Sequence, residues 1–272
     1  MEKRVAVVFD SAGTLLHMYR VAKEMSTGSI LEDIQTTLLV AEKANRALVV
    51  LRARFEELML CDPDMELHEF IDRYNIDLGI SCSSSPFQLD DVYGIIRQNS
   101  TKVSDLNDVI SLVKGRCPNV FYLAAGLVVD SQDNVVPYVL STGGQVYSKT
   151  SAAIKFLREL GTDIYIASGD DSQNLQNLAA FLNISMNDVF SVATTSDKEH
   201  IVKDLKKYYD SVVMVGDGMN DILALRAADV GILLYQQGAE RPQILVDAAD
   251  IIIGNIIEVV DIVKNINSSA TS

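Results

Sequence analysis

Between Lys149 and Asp250 the sequence alternates between helical and strand patterns, and this alternation restricts the chain to few folds. Apolar residues at helical spacing end at Gly161, and an apolar strand follows directly. The order recurs, so short strands are predicted at Ile164–Ala167, Val189–Val192, Val212–Val215, Val230–Leu234 and Asp250–Ile253. Such alternation predicts an α/β fold, a doubly wound parallel sheet with helices on both faces. The uninterrupted apolar runs agree, because central parallel strands are buried on both sides.

Three of the predicted strands lead into polar residues. The first apolar run of the chain, Val5–Phe9, is followed by Asp10. Two later strands are followed by Ser168–Asp170 and Gly216–Asp221. Parallel α/β sheets bind their ligands outside the carboxyl ends of their strands. We therefore expect these three polar segments to face one crevice.

Residues from about Arg20 to Gly144 lack the alternation. They combine turn clusters such as Ser81–Pro86 with scattered predicted strands and short helices. If Asp10's strand belongs to the later sheet, this segment must loop out between the first and second core strands. We predict a Rossmann-like core of residues 1–19 and 145–272, and an inserted cap or lid of residues 20–144.

The residue types at the three strand ends suit phosphoryl chemistry. A carboxylate at Asp10, followed by a turn through Gly13, can attack phosphorus while backbone N–H groups approach the phosphoryl oxygens. Ser168, with Gly169 behind it, can hold a phosphoryl oxygen near a helix start. Either segment could equally be an ordinary turn or helix cap. Lys198 is more informative, because a cation in the first turn of a helix opposes the helix dipole and calls for an anion nearby.

The segment Gly216–Asp221 supplies hard oxygen ligands on a strand-to-helix turn, the donor type that Mg²⁺ prefers. Asp10 and Asp217 are predicted to form the metal pair, because two carboxylates at adjacent strand ends repel unless they share a cation.

The segments at Asp10, Ser168, Lys198 and Gly216–Asp221, in this order, resemble those of the haloacid dehalogenase superfamily of phosphoryl-transfer enzymes. More narrowly, they resemble the phosphorylation domain of P-type ATPases and small archaeal P-type-ATPase-like proteins. The resemblance covers about residues 1–18 and 145–265. It is closest at Asp197–Leu205, Gly216–Asp221, Ala228–Ile232 and Ala248–Ile252.

The resemblance implies a role for each matching residue. Asp10 would be the nucleophile that becomes an aspartyl phosphate, and Lys198 would neutralise the transferred group. Ser168, Gly169 and Thr14 would complete the phosphate pocket. The Mg²⁺ ligands would be Asp10, Asp217 and the backbone carbonyl of Ala12, with Asn220 and Asp221 supporting the metal and the lysine.

Ala12 departs from the pattern of most phosphatases in the superfamily. They carry a second aspartate two residues after the nucleophile as general acid and base. Such assistance contributes about 10²–10⁴-fold to a rate, so turnover is expected to be slow, or the aspartyl phosphate to persist. P-type ATPases have threonine at this position, and phosphonoacetaldehyde hydrolases have alanine. A substitute acid could come from the insert, where Glu66, His68, Asp90 and Asp91 are candidates.

Composition limits the partners. The net charge of -14 opposes binding to nucleic acid or anionic lipid, although backbone N–H groups and a metal still allow a phosphorylated metabolite to bind. No apolar stretch approaches the ~18 residues of a membrane span, and the odd number of cysteines includes no C-x-x-C pair. We expect a cytoplasmic protein with reduced cysteines.

These observations predict a Mg²⁺-dependent phosphatase that acts on a small phosphorylated substrate. Two alternatives stay open. The chain could be a non-enzymatic regulatory protein that binds phosphate and Mg²⁺ or carries a phosphoaspartate. It could also be a phosphonatase-like C–P hydrolase, which would need a Schiff-base lysine in the insert, such as Lys23 or Lys43. The P-type ATPase activity itself is excluded, because no membrane helices are predicted.

Overall fold

The computed structural model describes residues 3–53, 55–117, 121–170, 172–236 and 241–268, which group into two compact units. The first unit holds the described residues up to His17 and from Gln145 onward, and the second holds Met18–Gly144. The strands are β1 (Val5–Phe9), β2 (Leu16–Glu24), β3 (Ile30–Glu32), β4 (Arg46–Arg52), β5 (Asp77–Ser83), β6 (Tyr122–Asp130), β7 (Val135–Val146), β8 (Asp163–Ala167), β9 (Val189–Phe190), β10 (Ser211–Gly216), β11 (Val230–Leu234) and β12 (Ile251–Ile253).

The helices alternate with these strands only from α6 onward. They are α1 (Thr36–Ala41), α2 (Phe55–Leu60), α3 (Leu67–Tyr74), α4 (Leu89–Gln98), α5 (Val103–Arg116), α6 (Thr150–Glu159), α7 (Ser172–Leu182), α8 (Thr195–Leu205), α9 (Ile222–Ala227), α10 (Gln243–Val246) and α11 (Glu258–Ser268).

The first unit is built on a six-stranded sheet of order β12-β11-β10-β1-β8-β9, whose strand pairs are all parallel. The predicted doubly wound parallel sheet is therefore confirmed. Strands β1 and β10 are buried along their whole length, which explains their unbroken apolar sequences. The strand order reverses beside β1, where doubly wound folds keep their ligand crevice.

The strand register brings three polar segments to one edge of this sheet. Phe9 pairs with Val215 of β10 on one side and with Ile166 of β8 on the other. Asp10 therefore follows the paired position by one residue, while Asp217 and Ser168 each follow it by two.

The sequence pattern predicts that helix α8 begins at Lys198. The helix begins three residues earlier, at Thr195, so the predicted start is wrong. The earlier start is set by a capping box: the Asp197 N–H donates to the Thr194 hydroxyl at 3.2 Å, and the Thr194 N–H donates to the Asp197 carboxylate at 3.0 Å. Lys198 therefore already donates its N–H to the Thr194 carbonyl, as in a regular helix, at 3.0 Å.

The second unit contains a sheet of order β3-β2-β7-β6-β4-β5, with antiparallel pairing between β2 and β3, β4 and β5, β4 and β6, and β6 and β7. Helices α3, α4 and α5 contribute buried apolar residues to a core shared with this sheet. The predicted turn cluster from Ser81 is wrong at its start, because β5 continues to Ser83 by pairing with β4. The unit lies between β1 and β8 in the sequence.

Among the described residues, every helix is too short or too polar to cross a bilayer.

Candidate active site

Asp10 lies at the carboxyl end of β1, in a tight turn. It is 3% exposed, and its N–H donates to the Val215 carbonyl at 2.9 Å, which holds it to β10. The N–H groups of Leu15 and Leu16 both donate to the Ser11 carbonyl at 2.9 Å. The carboxylate of Asp10 is therefore held by a fixed backbone.

Lys198 joins two buried carboxylates. Its Nζ donates to Asp10 Oδ1 at 2.5 Å and to Asp221 Oδ1 at 2.7 Å, and the side chains of Lys198 and Asp221 are both 0% exposed. Three segments distant in sequence, at the ends of β1 and β10 and in α8, thus meet at one ammonium group. Asp221, which the family resemblance assigns to a supporting role, is a direct partner of the lysine.

The electrostatics of this group favour a further cation. Burial raises the pKa of Asp10 well above its usual value, and the charge of Asp221 raises it further, while Lys198 opposes both. Burial alone would lower the pKa of Lys198, but Asp10 and Asp221 outweigh it and raise that pKa, so the lysine stays protonated. One lysine does not compensate the neighbouring carboxylates, because Asp217 also acts to raise the pKa of Asp10.

Carboxylate oxygens of Asp10, Asp217 and Asp221 lie within 4.8 Å of one another, a spacing that suits one divalent ion. Asp221 also orients the loop, since its Oδ2 accepts the N–H groups of Asp217 and Gly218 at 3.1 Å each. The residues present fit the Mg²⁺ that the sequence predicts. Ala12, whose carbonyl is the other predicted ligand, lies half-buried in the turn after Asp10 and forms a bridge with Leu16.

Gly13 keeps room for the Asp217 carboxylate. Its φ is +83°, and a Cβ built on it would lie 2.2 Å from Asp217 Oδ2. Only glycine both adopts this conformation without strain and leaves the space that the carboxylate occupies.

Replacing Gly13 by alanine should therefore reduce the free energy of unfolding of the first unit by about 3 kcal/mol, because the left-handed strain adds to the overlap with Asp217. Gly161→Ala is the matched control: its φ is +71°, but its Cβ would meet nothing within 4 Å, so about 1–2 kcal/mol of strain is expected. Urea unfolding followed by circular dichroism measures both. Equal losses in the two variants would show that Gly13 is needed only for its backbone conformation.

The predicted phosphate-binding residues lie next to Asp10. Ser168 is 2% exposed, and its Oγ lies 2.6 Å from Ser11 Oγ. Thr14 is buried, and among the described residues its Oγ1 has no hydrogen-bond partner, so this hydroxyl can bond to a ligand. A Cβ on Gly169 would approach only the Ala193 carbonyl, at 3.9 Å, so the backbone there is open.

Asn220 is not brought into this group. Its side chain is exposed, and it lies near Gly218, where a Cβ would meet Asn220 Oδ1 at 2.5 Å. Asn220 is thus exposed while Asp221 is part of the buried cluster, and the supporting role that the resemblance assigns to Asn220 stays a prediction.

Three further residues at the site were missed by the sequence reasoning. Asp170 Oδ2 accepts the Ser11 hydroxyl at 2.8 Å and the Ser168 hydroxyl at 3.1 Å. Arg241 Nη2 donates to Asp217 Oδ2 at 2.7 Å. Asp170 belongs to the polar segment Ser168–Asp170, and Ser11 directly follows Asp10. The strand-end rule therefore reaches both residues, although the sequence reasoning assigned neither of them a role. Arg241 lies between β11 and α10 and belongs to no strand-end segment or motif, so no pattern in the sequence marks it.

The alternative acids of the insert all belong to the second unit. Glu66 is the N-cap residue of α3 and His68 lies in that helix, whereas Asp90 and Asp91 lie in the first turn of α4. Their role as a substitute acid stays a prediction.

Comparison with known proteins supports the phosphoryl-transfer interpretation. Residues 5–229 match the model of the haloacid dehalogenase-like hydrolase family. The chain is 31% identical over 266 residues to a soluble P-type ATPase-like phosphatase of Methanocaldococcus jannaschii, covering 97% of this chain and 94% of the relative. It is also 29% identical over 117 residues to a probable copper-importing P-type ATPase A of Enterococcus hirae, of which it covers 16%. Among solved structures, a zinc-transporting PIB-type ATPase aligns with 99% of this chain and 42% of its own, at 17% identity and a TM-score of 0.48.

Proposed function

Because the chain belongs to the haloacid dehalogenase-like hydrolase family, we propose that it is a Mg²⁺-dependent phosphatase acting through an aspartyl phosphate on a small phosphorylated substrate. The family and the phosphatase relative make it a phosphohydrolase. By analogy with that soluble relative, we extend the proposal to a cytoplasmic location.

The observation that carries the proposal is the buried contact between Lys198 Nζ and Asp10 Oδ1, at 2.5 Å. A lysine held there orients the carboxylate and opposes the rise in its pKa that burial causes. The same ammonium can neutralise a phosphoryl group that Asp10 receives. The buried ammonium also keeps Asp221 in place, which in turn holds the Asp217 loop.

In the first step an Asp10 oxygen attacks the phosphorus of the substrate, and the bond from phosphorus to the leaving oxygen breaks. Lys198 and the hydroxyls of Ser168 and Thr14 would bind the phosphoryl oxygens as charge develops on them. Mg²⁺ bound by Asp10, Asp217 and the Ala12 carbonyl would add further positive charge at those oxygens. In the second step water attacks phosphorus and loses a proton to solvent, while the bond from phosphorus to the Asp10 oxygen breaks and Asp10 leaves as the carboxylate.

Ala12 leaves both steps without general acid–base catalysis from the position two residues after the nucleophile. Alanine has no ionisable group, so residue 12 can neither protonate a departing alkoxide nor deprotonate the attacking water. We propose that leaving groups that depart without protonation are the preferred substrates, and that hydrolysis of the aspartyl phosphate limits the rate.

Ala12→Asp should raise the hydrolysis of an alkyl phosphate by about 10²-fold, because it restores a proton carrier beside the nucleophile. Ala12→Asn is the control, since it has nearly the same volume but no exchangeable acid. The ratio of kcat/KM for an alkyl phosphate to that for an aryl phosphate measures the effect, because kcat/KM reports phosphoryl transfer to Asp10 and not the later hydrolysis of the aspartyl phosphate. An unchanged ratio in Ala12→Asp would mean that another acid already serves the site or that the pocket cannot accommodate one.

The phosphonatase alternative is not supported by Lys23 or Lys43, the two lysines considered for it. A Schiff-base lysine must be a neutral amine at working pH. Lys23 lies 2.8 Å from Asp105 and 2.7 Å from Asp108, and these contacts raise its pKa although burial acts to lower it. Lys43 is paired with Asp133 and Asp130, which raise its pKa as well. Both lysines are therefore held in the charged form.

The proposal is tested by Mg²⁺-dependent hydrolysis of para-nitrophenyl phosphate, with labelling of the protein by the phosphoryl group followed in parallel. A phosphatase releases phosphate catalytically and shows an acid-stable, hydroxylamine-sensitive label. A label without turnover would support the regulatory phosphoaspartate instead. The absence of both would contradict the proposal.

A further inference from the structure

Arg241 brings a permanent positive charge to the edge of the sheet where Asp10 and Asp217 lie. It follows β11 in sequence and precedes Pro242, the N-cap residue of α10. Its Nη2 is 2.7 Å from Asp217 Oδ2, and the two side chains are only 14% and 13% exposed. A guanidinium group stays protonated at any working pH, so this contact cannot be relieved by loss of a proton.

The ion pair involves a carboxylate that the Mg²⁺ site also needs. Lys198 pairs with Asp10 and Asp221, whereas Arg241 pairs with Asp217. A divalent cation within reach of the three carboxylates would lie close to the guanidinium, and two cations that share one carboxylate repel each other.

The guanidinium of Arg241 uses only part of its hydrogen-bonding capacity within the described residues. Its Nε is buried, and no acceptor for its N–H is found within residues 3–53, 55–117, 121–170, 172–236 and 241–268. A buried donor without an acceptor weakens the arrangement that holds it. The pair with Asp217 is therefore one that a competing ion can displace.

We propose that Arg241 is a built-in competitor of the divalent cation, bound to Asp217 in the ion-free enzyme and released from it when Mg²⁺ binds. This inference rests on the proposed Mg²⁺ site. Because the charge-assisted Arg241–Asp217 bond must be given up, the residue weakens Mg²⁺ binding and sets the concentration at which the enzyme is loaded.

Calorimetric titration with MgCl₂, at constant ionic strength and without substrate, tests the proposal on the full chain. Arg241→Gln should bind Mg²⁺ about tenfold more tightly than wild type, which corresponds to the loss of one charge-assisted hydrogen bond. Arg241→Lys, which keeps the charge but not the planar fork, should lie between the two. Arg226→Gln, at an exposed position in the last turn of α9, changes the net charge equally and should leave the affinity unchanged.

The outcomes separate this inference from the function on which it rests. Equal or weaker Mg²⁺ binding by Arg241→Gln, with wild-type binding intact, overturns the competitor role alone. Binding that persists in Asp217→Asn places the ion elsewhere and overturns it too. If neither wild type nor Arg241→Gln binds Mg²⁺, the proposed metal site fails, and the inference fails with it.

Discussion

Asp10→Asn should abolish Mg²⁺-dependent phosphate release, with a loss of at least about 10⁴-fold, because an amide is a poor nucleophile. The variant should also lose the hydroxylamine-sensitive label, since no acyl phosphate can form. Both are measured with para-nitrophenyl phosphate at saturating Mg²⁺. The same substitution at Asp261, an exposed residue of α11, should leave turnover unchanged.

The stability of Asp10→Asn distinguishes a chemical defect from a folding defect. Burial and Asp221 raise the pKa of Asp10, so its charged form destabilises the fold above the ordinary aspartate pKa of about 3.9. The neutral amide avoids that cost, and Lys198 keeps Asp221 as a partner. We expect a free energy of unfolding at pH 7 no lower than that of wild type. Retained turnover in this stable variant would contradict the nucleophile assignment.

Lys198→Met should be the most destabilising of the substitutions considered. It leaves Asp10 and Asp221 buried without their cation, and breaking such a buried pair costs about 3–5 kcal/mol. Activity should fall by about 10³-fold, because the phosphoryl charge loses its nearest neutralising group. Lys203→Met is the matched control in the same helix: its lysine pairs with Glu199 on the surface, with 55% of the lysine side chain exposed, and about 0–1 kcal/mol is expected.

The loss in Lys198→Met should depend on pH. The raised pKa of Lys198 contributes stability that is fully present below the unfolded lysine pKa of about 10.4. Without the lysine, the folded pKa of Asp10 rises further, so the folded variant takes up protons more readily than the unfolded chain. Its deficit should therefore be larger at pH 8 than at pH 5, measured by urea unfolding in EDTA. A deficit that is independent of pH would mean that the lysine acts through packing alone.

The sequence predicts the core sheet well because its signal is local. The apolar runs of β1, β8, β10 and β11 are found within one or two residues of their bounds, since strands buried on both faces leave no alternative pattern. The strand-end rule then selects Asp10, Ser168 and Asp217, which the structure gathers at one edge of the sheet.

The features that could not be predicted from the sequence depend on contacts between segments that are distant in the chain. Arg241 has no local pattern, and only the fold brings it to Asp217. Asp170 was visible in sequence, but its bonds to Ser11 and Ser168 depend on the pairing of β1 with β8. The second unit was the least predictable, because its antiparallel pairs join strands at varied separations in the sequence. Its first two helices, α1 and α2, also have only six residues each.

The central position of β1 has a consequence for how the chain folds during synthesis. Ala6 pairs with Asp163 and Val212, so β1 is synthesised about 160 to 210 residues before its two neighbouring strands. At ordinary rates of translation that interval lasts roughly 10–40 s. Over this time the apolar strand Val5–Phe9 has no partner in its own sheet, while the whole second unit is already available to fold. Early exposure of a β-prone segment is an aggregation hazard, so we expect the yield of this protein to depend on chaperones that bind this strand during synthesis.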